Sequence, residues 1–449
     1  MILVKPVIAA VLALTALPVA TLAPGSASAS ASPVASSATS GAATMSGHGE
    51  LAVIRDHQLF LVGGPVSGTR RVPLGQQAGD PEWSADGKWL SVVVTAPAPK
   101  SNPYADEPSK ILILTAEGRV VHNLSRGTDE YDVMTAWSPS ADRLAISYTL
   151  HAKSPNNDRD VLAVADPVGG SLDGKVAARI ISGFAWSPDG SRIAASINGF
   201  AGEPGAWHSR LVTISATSDA RHRVTTAEGN VFEVAGWWPD GSGILTWLDY
   251  QGSASLAADG LPLYDVSVTS GHRRLLAKSM LQYPQWLATS PTTDEVAFVA
   301  GGSRELTGGH KHLVVCGLSS CHRLAQGASR VSFDPAWSDS GQLAFVRDRA
   351  TNDSDGYAMS YVDRVQASGG VQVRSVSGLR HAVRPARGAA APMWGTDGAM
   401  LVVRRDALWL LAPGLRHATK VVSGVQVPSD YYGFVPWRDS FAWTEAVRG

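Results

Sequence analysis

The residues that could do chemistry are most concentrated between positions 310 and 322, a segment that also contains the only two cysteines of the chain. His310 and His312 are two residues apart, so on a strand both imidazoles would lie on one face, as a metal site needs. Cys316 and Cys321 flank the short turn Gly-Leu-Ser-Ser, and in a secreted chain such a pair favours a disulfide. We therefore predict a disulfide across this hairpin, with metal binding as the alternative.

Known catalytic motifs are absent from the sequence, which contains no G-x-S-x-G nucleophile elbow, no H-E-x-x-H and no P-loop. Residues 351–356, Thr-Asn-Asp-Ser-Asp-Gly, imitate a calcium loop. However, Thr351 stands where the first carboxylate belongs, and Val362 stands where the closing glutamate would be. We therefore expect no metal and no cofactor, and a function without catalysis is favoured.

The composition limits the class of protein and of partner. The 449 residues include 38 basic and 39 acidic side chains, and 44% of them are hydrophobic. This balance indicates a globular chain with a large core and no general preference for nucleic acid or acidic lipid. Arginine (29) outnumbers lysine (9), which is typical of a GC-rich bacterial genome.

A repeated motif indicates how the chain is organised. The stretch FAWSPDGSRIAAS, residues 184–196, recurs in recognisable form along the whole chain at spacings of 43 to 57 residues. The predicted anchor positions of the repeat are Trp83, Trp137, Trp186, Trp238, Thr289, Trp337, Trp394 and Trp437. Such a period is typical of propellers and solenoids.

Each repeat contains the signals of four short strands. The tryptophan ends the first strand, Ser-Pro-Asp-Gly forms a tight turn, and an alternating apolar run follows. We therefore predict an all-β propeller of eight four-stranded blades, closed by joining the N- and C-terminal strands, with seven blades as the alternative. The tryptophans are expected to pack between blades, and Asp86, Asp189 and Asp240 to cap their turns.

One face of this disc carries the candidate binding site. The turns between first and second strands are tight, whereas the loops between second and third strands are long and open onto the opposite face. Binding residues concentrate on loops that a rigid scaffold holds. The candidates on this long-loop face are Tyr104, Tyr131, Asp132, Asp158, Arg159, Trp207, His208, Tyr250, Tyr283, Phe333, Asp334, Tyr357, His381, Arg384, Tyr431 and Tyr432.

The WSPDG motif followed by an apolar strand resembles the repeats of the TolB-like, WD-repeat-like β-propeller family over residues 50–449. The small α/β domain that precedes the propeller in TolB has no counterpart here. The resemblance implies a propeller fold but not one function. Some propellers with this kind of repeat are lyases that hold a metal with channel histidines, which here would be His151, His208 and His381.

These observations lead to an expected function. The chain is predicted to bind a peptide, a protein or a cell-wall glycan through the long-loop face, as a monomer. A metal-dependent carbohydrate-active enzyme is the alternative, and envelope scaffolding is a third possibility.

The N-terminus predicts the location of the protein. Lys5 precedes an apolar run that Pro18 interrupts, and Ala27-Ser28-Ala29 offers a cleavage signal. We therefore predict a signal peptide over residues 1–29, a disordered Ser/Ala-rich linker over 30–48 and the propeller over 49–449. The mature protein is expected outside the cytoplasm without a membrane span, and an uncleaved anchor is the alternative.

Overall fold

A computed structural model describes most of the propeller region. The described residues are 45, 47–64, 68–97, 108–125, 130–151, 158–200, 207–218, 220–250, 260–302, 311–325, 327–350, 369–375, 378–427 and 436–445, without the side chains of 130–132, 200 and 207.

Thirty-two strands form eight four-stranded antiparallel sheets, each of them one blade of a propeller. Blade 1 contains β1 (Glu50–Arg55), β2 (Gln58–Gly63) and β3 (Thr69–Val72), together with a strand from the other end of the chain. Blades 2 and 3 contain β4 (Gln77–Trp83), β5 (Trp89–Thr95), β6 (Ser109–Thr115), β7 (Val120–Asn123), β8 (Glu130–Trp137), β9 (Leu144–Leu150), β10 (Arg159–Ala165) and β11 (Leu172–Ala178).

The remaining blades repeat this order, with the first strand of each blade innermost and the fourth outermost. Blades 4 and 5 contain β12 (Ile180–Trp186), β13 (Arg192–Phe200), β14 (Trp207–Ser215), β15 (Arg221–Glu228), β16 (Asn230–Trp237), β17 (Gly243–Tyr250), β18 (Leu261–Ser267) and β19 (Arg273–Met280). Blades 6 and 7 contain β20 (Leu287–Thr289), β21 (Val296–Ala300), β22 (His312–Cys316), β23 (Cys321–Arg323), β24 (Arg330–Trp337), β25 (Leu343–Arg349), β26 (Gly370–Arg374) and β27 (Arg380–Arg387). Blade 8 contains β28 (Ala390–Trp394), β29 (Met400–Arg404), β30 (Ala407–Leu411) and β31 (Ala418–Ser423).

The ring closes through β32 (Phe441–Thr444), which is the innermost strand of blade 1. It pairs antiparallel with β1, and Trp443 faces Leu51 in the register. The indole Nε1–H of Trp443 donates to the His48 carbonyl at 2.7 Å, and the His48 side chain lies 2.8 Å from Asp397 of blade 8. The predicted eight-bladed, all-β propeller with joined ends is therefore confirmed.

Tryptophans connect successive blades through hydrogen bonds to backbone. The indole Nε1–H of Trp186 donates to the Ala136 carbonyl of blade 3 at 2.8 Å. Trp237 donates in the same way to Ala185 of blade 4 at 2.9 Å. In each case the acceptor is the residue just before the tryptophan of the preceding blade, so one contact recurs around the ring.

This contact corrects the predicted anchor of blade 5, and the position of the closing strand corrects that of blade 1. In blade 5 the anchor is Trp237 rather than Trp238, because Trp238 takes the place that Ser187 holds in blade 4 and is buried in the core. In blade 1 the anchor is Trp443, since Trp437 lies in a short 3-10 helix (Trp437–Asp439) outside the sheet. The predicted anchors were displaced at these two repeats because one contains the doublet Trp237-Trp238 and the last one departs from the WSPDG pattern.

Replacing Trp186 with phenylalanine should cost more stability than replacing Trp83. Both residues end innermost strands and are nearly buried, but Trp83 Nε1 has no hydrogen-bond partner. Trp186→Phe is expected to lower the free energy of unfolding by about 1 kcal/mol more than Trp83→Phe, the net worth of one hydrogen bond. Urea denaturation of the two variants measures the difference, and equal losses would contradict a stabilising role for the indole hydrogen bond.

The Ser-Pro-Asp-Gly turn is held by its own side chains. The Ser187 hydroxyl donates to Asp189 Oδ1 at 2.6 Å, and the Ser191 backbone N–H donates to the same oxygen at 3.0 Å. These bonds, led by the one from Ser187, lower the pKa of Asp189 to about 2. Asp86 and Asp240 accept equivalent backbone bonds, so the structure gives all three carboxylates a turn-capping role.

Arginines connect the outer strands of neighbouring blades. Arg273 Nη2 of blade 5 donates to the Thr226 carbonyl of blade 4 at 2.6 Å. Arg221 of blade 4 donates to the Lys175 carbonyl of blade 3, and Arg380 of blade 7 donates to Ala325 beyond blade 6. A guanidinium that is always charged and carries five donors suits such backbone contacts better than an ammonium does.

The two cysteines form the predicted disulfide, which joins β22 to β23 with an S–S distance of 2.00 Å. His312 begins β22 and His322 lies on β23, whereas His310 lies outside the described residues. Within the described part of the chain, no three His, Cys, Asp or Glu side chains are grouped so that they could hold a metal ion. In that same part, no helix is long and apolar enough to cross a membrane.

Candidate functional site: an arginine groove in blade 7

Arginine side chains converge where the four strands of blade 7 reach the long-loop face. Arg347 near the end of β25 pairs with Gly370 of β26, and Gly370 pairs in turn with Arg387 of β27. Residues that face each other across strands point to the same side of a sheet. Arg347 and Arg387 therefore flank a position without a side chain, about 10 Å apart across two strand spacings. We call the resulting depression the arginine groove.

A bulge in β27 brings a further arginine to the groove. Gly370 pairs with Arg387 but Gln372 pairs with Ala382, so the four residues 383–386 face Val371 alone. Pro385 has no N–H to offer the ladder, which favours such an interruption. Val383 and Ala386 turn inward and are buried, whereas Arg384 is exposed.

The groove has a volume of about 560 Å³ and combines charge with an apolar floor. Arg330, Arg347, Arg384 and Arg387 line it together with Val371 and Val383. Burial lowers the pKa of Arg347, and the positive charges of Arg330 and Arg380 lower it further. The electrostatic field of these two neighbours at Arg347 is therefore positive. Among the described residues, Arg384 and Arg387 make no ion pair.

This arrangement suits an extended anion. Planar guanidinium groups bind carboxylates in a bidentate manner, and two of them on either side of a glycine can hold two carboxylates in a row. The buried Val371 and Val383 offer an apolar surface between those charges. The groove therefore has the chemistry for a ligand that alternates anionic and apolar parts.

Of the predicted site residues whose side chains the structure describes, only Arg384 lines the groove. His381 was expected on the long-loop face, but β27 extends over Arg380–Arg387, so His381 pairs with Val373 near the opposite, tight-turn end. The segment that was interpreted as a connection is thus a strand. His381 lies on the outermost strand of its blade, away from the central channel.

Two predicted aromatic residues belong to the core. Tyr283 is 8% exposed and packs edge-on against Trp286 at 5.2 Å, and Phe333 is fully buried and stacks on the same indole at 6.2 Å. Asp334 is 5% exposed, has φ of +51°, and accepts a hydrogen bond from the Ala391 N–H at 3.1 Å. The expectation of an exposed aromatic face is therefore wrong at these positions, because their side chains fill the space between blades.

Other predicted residues are scattered over several blades. Asp158 pairs with His151 at 2.8 Å in blade 3, next to the exposed Arg159, while Tyr250 ends β17 with 47% exposure. His208 is half-buried in β14. The structure describes only the backbone of Tyr131, Asp132 and Trp207. Tyr104, Tyr357, Tyr431 and Tyr432 lie outside the described residues.

Sequence reasoning missed Arg330, Arg347 and Arg387. Each lies at or near the end of a strand, and a position of this kind gives no local signal of a binding site. A signal was available in the spacing of arginines within one repeat, since 380, 384 and 387 follow 347 and 349 in the same unit.

Comparison with known proteins shows similarity at the level of the fold. Neither a protein-family model nor a curated protein matches the chain by sequence. Dipeptidyl peptidase 4 of Porphyromonas gingivalis matches with a TM-score of 0.53 and 9% identity, over 85% of this chain and 60% of that one. The propeller domain of the trilobed protease from Pyrococcus furiosus matches with a TM-score of 0.44 and 11% identity, over 78% of this chain and 98% of that one.

A third match is the acylaminoacyl peptidase of Pyrococcus horikoshii, with a TM-score of 0.46 and 12% identity, over 77% of this chain and 52% of that one. The chain thus spans between about half and 60% of the two complete peptidases. At 9% identity, the match with a TM-score of 0.53 shows a likeness of fold alone.

The comparisons overturn the enzyme alternative predicted from the repeat. The structure that matches with a TM-score of 0.53 is named as a peptidase and not as a sugar lyase, so the predicted carbohydrate-active enzyme with channel histidines is wrong. His208 also lies on the third strand of blade 4 and His381 on the outermost strand of blade 7, away from the innermost strands around the channel. A binding role is compatible with this fold, whereas no family model supports the TolB-like label of the predicted module.

Proposed function

We propose that this chain is a peptidase-type propeller that binds an anionic polypeptide segment in the arginine groove of blade 7. The observation that carries the proposal is the row Arg347, Gly370 and Arg387 in register across three strands. It differs from the face-wide aromatic surface expected from the sequence, because the binding groups are arginines of a single blade.

The dimensions of the groove support a short acidic peptide. Four strands lie about 4.8 Å apart, so the groove extends over about 14 Å from β24 to β27. An extended peptide rises about 3.3 Å per residue, so about four residues would cross the blade. The structural neighbours are named as peptidases, which makes polypeptide the first class of ligand to test.

Charge reversal in the groove should abolish most of this binding. A fluorescein-labelled peptide with alternating glutamate and valine is titrated with the full chain, and its glutamine counterpart serves as the neutral ligand. Arg384→Glu/Arg387→Glu is expected to weaken binding of the acidic peptide at least tenfold, because two charge-assisted contacts become repulsive. The affinity of the unaltered protein should fall as salt rises.

Arg159→Glu is the matched control, since Arg159 is an exposed arginine on the long-loop face of blade 3. This variant should bind as tightly as the unaltered protein. Equal losses in both variants, or equal affinity for the glutamate and glutamine peptides, would refute the groove as the binding site.

We further propose that the protein acts outside the cytoplasm as a monomer. The leader-like segment 1–29 and the Cys316–Cys321 disulfide support this location. Kinship with TolB-like propellers is also a proposal, supported by the matching turn bonds of Asp86, Asp189 and Asp240. Mass spectrometry of the exported protein tests the first proposal by its N-terminus, and light scattering tests the oligomeric state.

A further inference from the structure

A cleft of about 540 Å³ lies on the tight-turn face, opposite the arginine groove. Its lining includes one proline from each of four successive blades, namely Pro139, Pro188, Pro239 and Pro291. Blades 3 and 6 are not neighbours, so a cleft that both of them line must lie toward the centre of the ring. The edges of Trp186 and Trp237 complete its floor.

The rim of this cleft is acidic. The turns between the first and second strands of blades 3 to 6 carry five acidic residues, Asp142, Asp189, Asp240, Asp294 and Glu295, and two basic residues, Arg143 and, where the turn of blade 4 meets β13, Arg192. Asp189, Asp240 and Asp294 are exposed, and Asp294 itself lines the cleft. The carboxylate of Asp189 stays ionised, because the Ser187 and Ser191 hydrogen bonds hold its pKa at about 2.

The protein already places one cation on this surface. The guanidinium of Arg192 lies over the ring of Trp237, 5.2 Å from its centroid. Long basic side chains commonly lay their aliphatic stems on apolar surface while the charged head reaches a carboxylate. The prolines and tryptophans supply the apolar surface here, and the aspartates supply the acceptors.

We propose that this cleft binds a basic segment of a partner polypeptide, with lysine or arginine stems on the prolines and their charged heads at Asp240 and Asp294. The inference does not depend on the arginine groove, which lies on the other face and selects ligands of the opposite charge. The two faces of the propeller would then recognise different partners.

The test uses the full chain and a fluorescein-labelled peptide of alternating glycine and lysine. Asp240→Asn/Asp294→Asn is expected to weaken binding of this peptide at least tenfold. Asp339→Asn is the matched control, because Asp339 is an exposed acid on the equivalent turn of blade 7, outside the cleft. It should change the affinity less than twofold, as should Arg384→Glu/Arg387→Glu.

Two results would overturn the proposal. The first is an Asp339→Asn loss as large as that of the double variant, which would indicate diffuse attraction to the whole face. The second is a dissociation constant of the unaltered protein for the lysine peptide that is no lower than the one for the same peptide with glutamine in place of lysine. Unchanged thermal unfolding of the asparagine variants shows that any loss of binding is not a loss of fold.

Discussion

Gly49→Ala is expected to lower the free energy of unfolding by about 3 kcal/mol or more, one of the largest effects of any single methyl group in this chain. Gly49 has φ of +87° and lies where β1 meets the closing strand β32. A Cβ there would overlap the carbonyl oxygen of Thr444 and lie 2.6 Å from the Cα of Glu445. Because both atoms are backbone, relief requires β32 to move away from β1, its partner strand in blade 1.

Gly47→Ala separates this overlap from the cost of the backbone conformation. Gly47 has φ of +85°, and a Cβ there would have no atom within 4 Å. It should therefore lose only about 1 kcal/mol, the ordinary cost of a side chain at positive φ. Urea denaturation followed by tryptophan fluorescence compares the two, and similar losses would show that ring closure at Gly49 tolerates a side chain.

Stability is expected to fall as the pH rises from about 5 to about 8. Burial raises the pKa of Glu233 to about 8, with the nearby Asp249 adding to the shift, and burial raises the pKa of Glu82 to about 7. The folded protein therefore holds protons that the unfolded chain releases near pH 4.5. This contribution is fully present below pH 4.5 and is lost as the pH rises through the folded-state values.

Glu233→Gln removes one of the groups that hold a proton in the folded protein but release it on unfolding. Glutamine imitates the protonated side chain, so the variant is expected to be more stable than the unaltered protein at pH 8 by about 2 kcal/mol and to depend less on pH. Glu228→Gln replaces an exposed glutamate of blade 4 and should leave the pH profile unchanged. Urea midpoints at pH 5, 6.5 and 8 provide the measurement, and a stability that rises over this range would contradict the assignment.

The blade pattern could be predicted from the sequence because its determinants are local. The turn at Ser187–Gly190 is fixed by hydrogen bonds among residues at most five positions apart. The Cys316–Cys321 pair lies within one hairpin. Short-range chemistry of this kind repeats in every blade, and the repeat itself reveals it.

The site could not be predicted in the same way, since it depends on register between strands. Arg347 and Arg387 are forty residues apart in sequence. The regular pairing of β25 with β26 places Arg347 beside Gly370, and the bulge around Pro385 places Arg387 there. The same limit explains why Trp238 was taken for an anchor. Trp237 differs from its neighbour in two ways that the sequence does not show, namely its pairing with Ile244 and its hydrogen bond to Ala185.

The pairing of β1 with β32 has a consequence for biosynthesis. The first three strands of blade 1 leave the ribosome early, but their inner partner is made after all other blades. Until then β1 presents an unpaired edge that could join another chain. An exported chain would therefore depend on remaining unfolded, or on a chaperone that covers this edge, until its last strand has crossed the membrane.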